Sequence, residues 1–583
     1  MILLDTTFAR LADTWLERYA RPQWRGCRLE GWLFEGLAAR RRLETALAEA
    51  GVTARIRSAY KPLVHAFLED IDRHDVLEAD ICYPVLAGVA PERFLLEAYP
   101  LADLLPGLRF LPQAQQDGPA VYTAVLRRRS GAVQTCRIEA PNTWSRDHQG
   151  LAALSPSAWL RLAGPDGAAL ADQAERAEYR QIFDAAMDTL AAHPWGQDEP
   201  YFERLSLRAD IPPLETPLPG GETASSGEAL HEDLYFSALE FFQRHSGRPL
   251  GDRGLRPGQI VPDVRPGTAP RLVIATESFP PAAPLAPRAA PGALAALGHP
   301  LTLDEVAHGL AALGGQAHEA PTRQGRRILW RYCQSALPAA PVLVSAAQHA
   351  NETSGVVGAL RAAAQLLGQG PFALIPVENP DGYALFEALR AIHPHHMHHA
   401  ARYSALGDDV AYREGPPAAE SLARHQALAV SGARLHINLH GYPSHEWTRP
   451  LSGYLPRGFE SWTVPKGFFL ILRYHPGWEE QARQLAQSAT ARLTRAMPDL
   501  TDFNAAQQAR RATYAAPENW PVFNGVPVLL AESTREAASL ALTAEFPDET
   551  IYGADYVFAH TVQMHTVLSA AAAWRAMTAG PAR

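Results

Sequence analysis

Lysine is nearly missing from this sequence, in which Lys61 and Lys466 are only two of 53 basic residues. Arginine, alanine and proline are used heavily instead, which is typical of the coding bias of a GC-rich, bacterial genome. Acidic residues outnumber basic ones, and the net charge of −9 argues against nucleic acid as a main partner. A hydrophobic content of 47% with 20% charged residues indicates a globular protein with a sizeable core.

Cysteine and long apolar runs are scarce as well. The four cysteines are scattered without C-x-x-C spacing, which favours reduced thiols in a cytoplasm over disulfides or a cysteine metal site. No apolar stretch approaches the roughly 20 residues that a membrane helix needs. Residues 1–10 lack the basic and apolar regions of a signal peptide. We therefore expect a cytoplasmic protein with no membrane partner.

Proline and glycine are concentrated in two stretches, 212–227 and 280–300, whose composition is typical of linkers. A chain of 583 residues exceeds what one core usually holds, so two or three domains are expected. These stretches predict an N-terminal accessory α+β domain at 1–211, a small intermediate module at 228–280 and a further domain at 296–580.

The third predicted domain alternates helical patterns with short apolar runs. Such alternation predicts an α/β fold with a mixed central sheet and flanking helices. The predicted strands are 328–332, 342–346, 372–376, 435–439, 468–472 and 526–530. Ligand sites in open sheets lie at the carboxyl ends of strands. His349, His440 and Glu532 each lie just past or at the end of one of these strands, so we expect them to share a site.

The pair His349 and Glu352 lies in the segment 348–355, QHANETSG, between a strand-like run and a helical pattern. An imidazole and a carboxylate three residues apart in a loop can converge on one ion, and they are typical ligands of catalytic zinc. His440 ends another predicted strand. His436, on the same strand face, is interpreted as a histidine hydrogen-bonded within the sheet.

Four motifs occur in a fixed order: HANE at 349–352, NPDGY at 379–383, NLHG at 438–441 and LLAES at 529–533. Together they resemble the carboxypeptidase A-like zinc metallopeptidase family, including its cytosolic carboxypeptidase branch. The resemblance extends over about 296–580 and to no other part of the chain.

The resemblance implies a function for each motif. It implies one zinc ion per chain, held by His349, Glu352 and His440, with a fourth position for water. Glu532 matches the general acid/base, which takes a proton from that water and passes it to the leaving nitrogen. The NPDGY segment matches a structural loop beside the site.

The substrate-binding segment departs from the family pattern. Arg402, Gly407 and Asp409 match its frame, but the Asn-Arg pair that binds a terminal carboxylate is replaced by Ala-Tyr at 411–412. Guanidinium groups suit bidentate binding of carboxylates. Arg402 is therefore the first candidate for binding a substrate carboxylate, and Arg413, displaced by one position, is the second.

Two further features have open roles. Tyr514, 18 residues before Glu532, is a candidate for the phenol that covers the site in digestive relatives. Five histidines between 393 and 399 form either a metal-binding tract or a polar loop at the mouth of the pocket.

The resemblance implies a zinc-dependent metallocarboxypeptidase acting on a peptide. An amidase or deacylase of N-acyl amino acids on the same scaffold is the alternative, because the Asn-Arg pair is lost and the spacing between His349 and His440 also suits deacylases. A binding protein with a dead site is the alternative from another class.

Overall fold

The computed structural model describes residues 1–105, 107–115, 118–212, 214–218, 222–282, 293–413, 419–516 and 518–579. Parts of both expected linkers lie outside that description, namely residue 213, residues 219–221 and residues 283–292.

The first half of the chain is a mixture of helices and strands. Its strands are β1 (Ile2–Thr7), β2 (Arg28–Leu33), β3 (Thr53–Ser58), β4 (Val76–Leu86), β5 (Leu108–Gln115), β6 (Ala120–Arg128), β7 (Val133–Ala140), β8 (Asn142–Arg146), β9 (Ala152–Pro156), β10 (Ala158–Ala163), β11 (Ala169–Glu175), β12 (Arg204–Ile211), β13 (Glu215–Pro217), β14 (Thr223–Ser225), β15 (Gln259–Pro266) and β16 (Arg271–Glu277). Its helices are α1 (Leu11–Tyr19), α2 (Leu37–Glu49), α3 (Pro62–Glu69), α4 (Arg93–Glu97), α5 (Leu101–Leu104), α6 (Glu178–Ala192) and α7 (Ser226–His245).

Three four-stranded sheets organise this half, with the orders β1-β16-β12-β15, β11-β10-β2-β3 and β5-β4-β6-β7. The first of them joins strands from both sides of the stretch 212–227, because β12 pairs with β15 and with β16. The expected boundary between 211 and 228 therefore falls between strands of one sheet. Residues 228–280 share that sheet and its apolar core with the residues before them.

The second half alternates helices and strands, as predicted. Its strands are β17 (Gln316–Pro321), β18 (Arg327–Cys333), β19 (Val342–Ala346), β20 (Phe372–Ile375), β21 (Leu435–Pro443), β22 (Phe469–Tyr474), β23 (Val522–Phe523), β24 (Val526–Glu532) and β25 (Leu540–Glu549). Its helices are α8 (Leu303–Ala312), α9 (Ser354–Leu366), α10 (Pro380–Arg390), α11 (His399–Arg402), α12 (Glu420–Ser431), α13 (Glu479–Ala496), α14 (Asp499–Tyr514) and α15 (Gly553–Thr578).

Within the described residues, these strands form one nine-stranded sheet in the order β17-β18-β20-β19-β21-β25-β22-β24-β23. Strands β20, β19, β21 and β25 are parallel to one another. β22 is antiparallel to β25, and β24 runs parallel to β22. The predicted mixed sheet is confirmed, and each of the six predicted strands is present. The sequence prediction missed β25, which lies near the middle of the sheet.

The two faces of the sheet have different surroundings. Helices α9, α13 and α15 pack on one face and bury the apolar side chains of β21, such as Leu435, Ile437 and Leu439. Helix α12 packs against strands β17 to β20 at one side of the sheet. The alternate residues His436 and His440 face the other way, into a cleft. The sheet therefore presents one polar patch to this cleft.

The two halves of the chain pack closely together. The apolar core of the first half includes Phe386, Met397, Tyr403 and Trp447 from the second. Buried ion pairs also join the halves, including the pair between the Glu228 carboxylate and His445 Nε2 at 3.0 Å. In the part of the chain that the structure describes, no helix is both long and apolar enough to cross a membrane.

Candidate metal centre

The first two candidate ligands come from the loop between β19 and α9. Ala347, just after β19, has a positive φ of 46°, which turns the chain sharply out of the sheet. The backbone N–H of Glu352 then donates to the carbonyl of His349 at 3.2 Å, closing a tight turn. This turn places both side chains at the carboxyl end of β19. The strand-loop-helix prediction for this segment is confirmed.

Three donor atoms converge at this point. His349 Nδ1 lies 2.9 Å from Glu352 Oε1 and 3.1 Å from His440 Nδ1. His440 Nδ1 lies 2.8 Å from Glu352 Oε2. Among the residues that the structure describes, this is the only group of three or more His, Cys, Asp or Glu residues arranged to hold a metal ion. The loop and β21 therefore bring together the three residues predicted as ligands.

The donor set fits a zinc ion. Zinc binds histidine nitrogen and carboxylate oxygen at about 2.0–2.2 Å, which separates tetrahedral ligand atoms by about 3.3–3.6 Å. The three donor atoms lie 2.8, 2.9 and 3.1 Å apart, so a shift of about half an ångström would bring them to the separation that zinc needs. Two imidazoles and one carboxylate also leave a fourth position open, which is typical of catalytic zinc sites.

Neighbouring groups orient the three side chains. Asp409 Oδ1 lies 3.3 Å from His349 Nε2, and the Asn438 amide lies 2.8 Å from His440 Nε2. The backbone N–H of Gly441 donates to Glu352 Oε2 at 3.1 Å. A Cβ at Gly441 would lie 1.9 Å from a carboxylate oxygen of Asp548, so only glycine fits here. Such contacts around metal ligands fix their orientation.

The charges around the three candidate ligands favour a positive ion between them. Burial lowers the pKa of His349, but the carboxylates of Glu352 and Asp409 outweigh burial and raise it to about 9. Burial raises the pKa of Glu352, but positive charge at His349 and Arg402 brings it well below its ordinary value. The carboxylates are thus held ionised where a cation would bind.

Glu532, the predicted general acid/base, lies at the opposite edge of the sheet. The strand pairs from β24 to β21 place Glu532 level with Leu435. Leu435 comes five residues before His440 on β21, so Glu532 is displaced from His440 by roughly 16 Å along the strand direction. It is exposed and pairs with Tyr474, whose side chain packs on the helix-covered face. The carboxyl ends of strands meet at one edge only when the strands are parallel, and β24 runs opposite to β21. The assignment of Glu532 is therefore corrected.

Glu545, which the sequence prediction missed, takes the place expected of Glu532. It pairs with His440 across the parallel strands β21 and β25, so both side chains point to the same face. Glu545 is buried and lines the cleft. Burial and the nearby Glu352 carboxylate raise its pKa well above the ordinary value. The sequence signal for it was the apolar run 540–544 followed by glutamate, the same kind of signal that pointed to Glu532.

The cleft in front of the three ligands has a volume of about 300 Å³. It is lined by the polar face of β21 and β25, by arginines and by the aromatic residues Tyr412, Trp447, Phe459 and Trp462. Arg402 lines it and donates to Glu352 Oε1. The guanidinium group of Arg402 is thereby held beside the three candidate metal ligands.

Two predicted substrate residues lie elsewhere. Arg413 pairs with Asp408 and Glu420 at 2.7 Å each, and its side chain is only 5% exposed. Tyr514 is fully buried, and its hydroxyl accepts a hydrogen bond from the backbone N–H of Ala102 at 2.7 Å. Neither is among the residues that line the cleft. Both are therefore corrected to structural roles.

The remaining predictions concern histidines and the NPDGY motif. His436 Nε2 lies 2.7 Å from Ser345 Oγ within the sheet, as predicted. Among the residues that the structure describes, the histidines between 393 and 399 belong to no group of three or more that could hold a metal ion. Asn379 caps α10 by accepting from Gly382 N at 2.9 Å, and its amide donates to the Tyr403 carbonyl at 3.0 Å. The motif therefore supports the segment that carries Arg402.

No protein-family model matches this chain, and no curated protein matches it. Several solved structures do. A metallo-carboxypeptidase from Burkholderia cenocepacia is 14% identical, with 52% of this chain and 74% of that one covered and a TM-score of 0.29. A metallo-carboxypeptidase from Pseudomonas aeruginosa is 14% identical, with 52% and 72% covered and a TM-score of 0.29.

The murein-tripeptide amidase MpaA from Escherichia coli O157 is also similar, at 15% identity, 44% of this chain and 95% of that one covered, and a TM-score of 0.24. All three TM-scores are below 0.5.

Proposed function

We propose that this protein is a zinc-dependent hydrolase of amide bonds, most simply a metallocarboxypeptidase. The observation that carries the proposal is the convergence of His349 Nδ1, the Glu352 carboxylate and His440 Nδ1 beside a buried glutamate, Glu545. A metal site alone would suit a structural role as well. A carboxylate beside three ligands in a cleft is the arrangement that hydrolysis needs.

Glu545 is the proposed general acid/base, in place of Glu532. When bound, zinc supplies a Lewis acid for the carbonyl and lowers the pKa of water. The Glu545 carboxylate then takes the proton from the attacking water and delivers it to the leaving nitrogen. Glu545 suits this role because it is buried and also lines the cleft.

Arg402 is proposed to stabilise the oxygen of the reacting carbonyl. Its guanidinium group lies beside Glu352 and is held between the metal site and the cleft. Positive charge fixed next to a developing oxyanion stabilises the transition state more than the ground state. This role differs from the binding of a substrate carboxylate that the sequence suggested for Arg402.

The proposed substrate is a peptide with a free carboxylate. An N-acyl amino acid, cleaved by an amidase on the same scaffold, is the second candidate. The observation that favours the second candidate is that Ala411 and Tyr412, which replace an Asn-Arg pair, line the cleft themselves.

The test is hydrolysis of a short N-acyl peptide by purified, zinc-loaded protein. Release of the free amine measures the rate. We expect turnover that a chelator abolishes and that zinc restores. Faster cleavage of the free-carboxylate peptide than of its C-terminal amide would support a carboxypeptidase, and equal rates would favour the amidase. Turnover that survives complete removal of metal would contradict the proposal, and stoichiometric zinc without turnover on any amide would favour a binding protein.

A further inference from the structure

The residues that line the cleft include more arginines than acids. Among the described residues that line it, the arginines are Arg253, Arg402, Arg424, Arg473 and Arg535, whereas the acids are Asp409, Glu536 and Glu545. Arginines of a cleft that have no carboxylate of their own are candidates for binding an anionic ligand.

Three of the five arginines are matched by nearby carboxylates. Arg402 pairs with Glu352, and Arg424 pairs with Glu378. Arg473 lies 3.8 Å from a carboxylate oxygen of Glu536.

The other two arginines both contact the ring of Tyr412. The guanidinium carbon of Arg253 lies 4.7 Å from the centroid of the Tyr412 ring, and that of Arg535 lies 5.2 Å from it. The only carboxylate within ion-pair distance of Arg253 in the described part of the chain is Asp409, at 4.0 Å. The other carboxylate oxygen of Asp409 lies 3.3 Å from His349 Nε2. Arg535 is exposed, and no ion pair joins it to any acid that the structure describes.

Arg253 comes from the first half of the chain, in the loop between α7 and β15. That loop is anchored to the segment 404–409 because the backbone N–H of Gly258 donates to the Leu406 carbonyl at 2.9 Å. The approach is so close that a Cβ at Gly407, whose φ is +80°, would lie 2.2 Å from the Gly258 carbonyl oxygen. Backbone packing at Gly258 therefore holds the loop that carries Arg253 next to the cleft.

We propose that Arg253 and Arg535, held at the ring of Tyr412, form a subsite that binds a carboxylate of the substrate. Asp409, the nearest carboxylate to Arg253, also contacts the metal ligand His349, so the subsite lies a short distance along the cleft from the reacting carbonyl. A guanidinium group suits a carboxylate because it offers two parallel N–H donors. The inference rests on the proposed function and extends it, since it makes the first half of the chain part of substrate recognition.

The carboxylate can come from the terminus of the substrate or from an acidic side chain, and three matched leaving groups distinguish the two. Benzoylglycyl-glutamine carries the terminal carboxylate alone, and benzoylglycyl-isoglutamine carries the side-chain carboxylate alone. Benzoylglycyl-glutaminamide carries neither. The three have nearly the same size, so differences in kcat/KM report the carboxylate.

We expect the zinc-loaded wild-type protein to cleave one of the two carboxylate substrates with a higher kcat/KM than benzoylglycyl-glutaminamide. The ratio of these two kcat/KM values is the preference ratio. Arg253→Gln and Arg535→Gln should each lower that preference ratio about 10- to 100-fold, the usual effect of losing a charge-assisted hydrogen bond. Arg483→Gln is the matched control, because Arg483 is 51% exposed on α13, on the helix-covered face of the sheet. Its ratio should equal that of the wild type.

Calorimetric titration with acetylglutamine, acetylisoglutamine and acetylglutaminamide tests the subsite without turnover. We expect one of the two carboxylate ligands to bind the wild-type protein more tightly than acetylglutaminamide does. Arg253→Gln and Arg535→Gln should each lose that difference in affinity. Absence of hydrolysis with this binding pattern would contradict the proposed function and leave the subsite supported. Unchanged preference in both variants, or equal binding of all three ligands by wild type, would overturn the subsite.

Discussion

His440 and Glu545 face the same cleft from paired positions on two parallel strands, β21 and β25. His440 is a candidate metal ligand, and Glu545 is a buried carboxylate that is not one of the three candidate ligands. Because the two strands share a register, the sheet fixes the carboxylate beside the metal site without any loop. Catalytic groups carried by a sheet are positioned more firmly than groups carried by loops.

Removal of either histidine ligand should abolish stoichiometric metal binding. The purified protein should contain about one zinc per chain, and His349→Ala or His440→Ala should lose it, because two remaining ligands hold zinc poorly. Elemental analysis after dialysis measures this. His425→Ala, at an exposed histidine of α12, is the control and should keep the metal. Full zinc content in both ligand variants would place the metal elsewhere.

Loss of Arg402 should lower activity independently of any substrate carboxylate. Because Arg402 pairs with the ligand Glu352, we expect Arg402→Ala to reduce kcat about 10²-fold on free-carboxylate and amidated substrates alike. Rates on the two substrate forms, with zinc content checked in parallel, provide the measurement. A loss confined to free-carboxylate substrates would return Arg402 to the role suggested by the sequence.

Tyr514 should matter for stability and not for turnover. Tyr514→Phe leaves the backbone N–H of Ala102 without its partner, which costs about 1–3 kcal/mol of unfolding free energy. Urea denaturation measures that loss, and kcat/KM should stay at the wild-type value. Tyr83→Phe, at a partly exposed tyrosine, is the control and should change neither. Reduced kcat/KM with unchanged stability would argue that the phenol contacts substrate.

The ion pair between His445 and Glu228 should make the joining of the two halves pH-dependent. Burial lowers the pKa of His445, but the Glu228 carboxylate outweighs it and raises the pKa to about 9. A pKa above the unfolded value of about 6.5 means that the pair stabilises fully below pH 6.5 and loses that contribution as pH rises through about 9. The pKa of Glu228 is lowered to about 2, since His445 outweighs burial, so its contribution is lost only as pH falls from about 4.5 through about 2.

The measurement is the unfolding free energy of wild type and of His445→Gln between pH 5 and pH 10. We expect a loss of about 3–5 kcal/mol near pH 6, as for other broken buried pairs, and a much smaller loss near pH 10. His425→Gln serves as the control at an exposed site. A loss that does not change with pH would mean that His445 stabilises the fold through packing alone.

The sequence predicted the local structure of the site better than its assembly. The HANE loop at 349–352 and the strand that ends at His440 both follow from apolar runs with clear ends, so they could be found one segment at a time.

Strand direction could not be predicted in this way. Glu532 and Glu545 each end an apolar run, and only the pairing of β22 against β25 puts one at the site and the other at the far edge. Which strands are antiparallel depends on contacts between residues distant in sequence. The same limit applies to Arg253, whose place at the cleft follows from packing between the two halves of the chain.

If Glu545 performs the proton transfer of amide hydrolysis beside the three candidate metal ligands, its replacement should stop turnover and leave the metal in place. The most direct test compares kcat for Glu545→Gln and Glu532→Gln, both loaded with zinc to the wild-type level. We expect Glu545→Gln to lose about 10²- to 10⁴-fold in kcat, because an amide cannot accept the proton, and Glu532→Gln to keep the wild-type rate. A Glu545→Gln enzyme with the wild-type rate, or a large loss only in Glu532→Gln, would rule out Glu545 as the general acid/base.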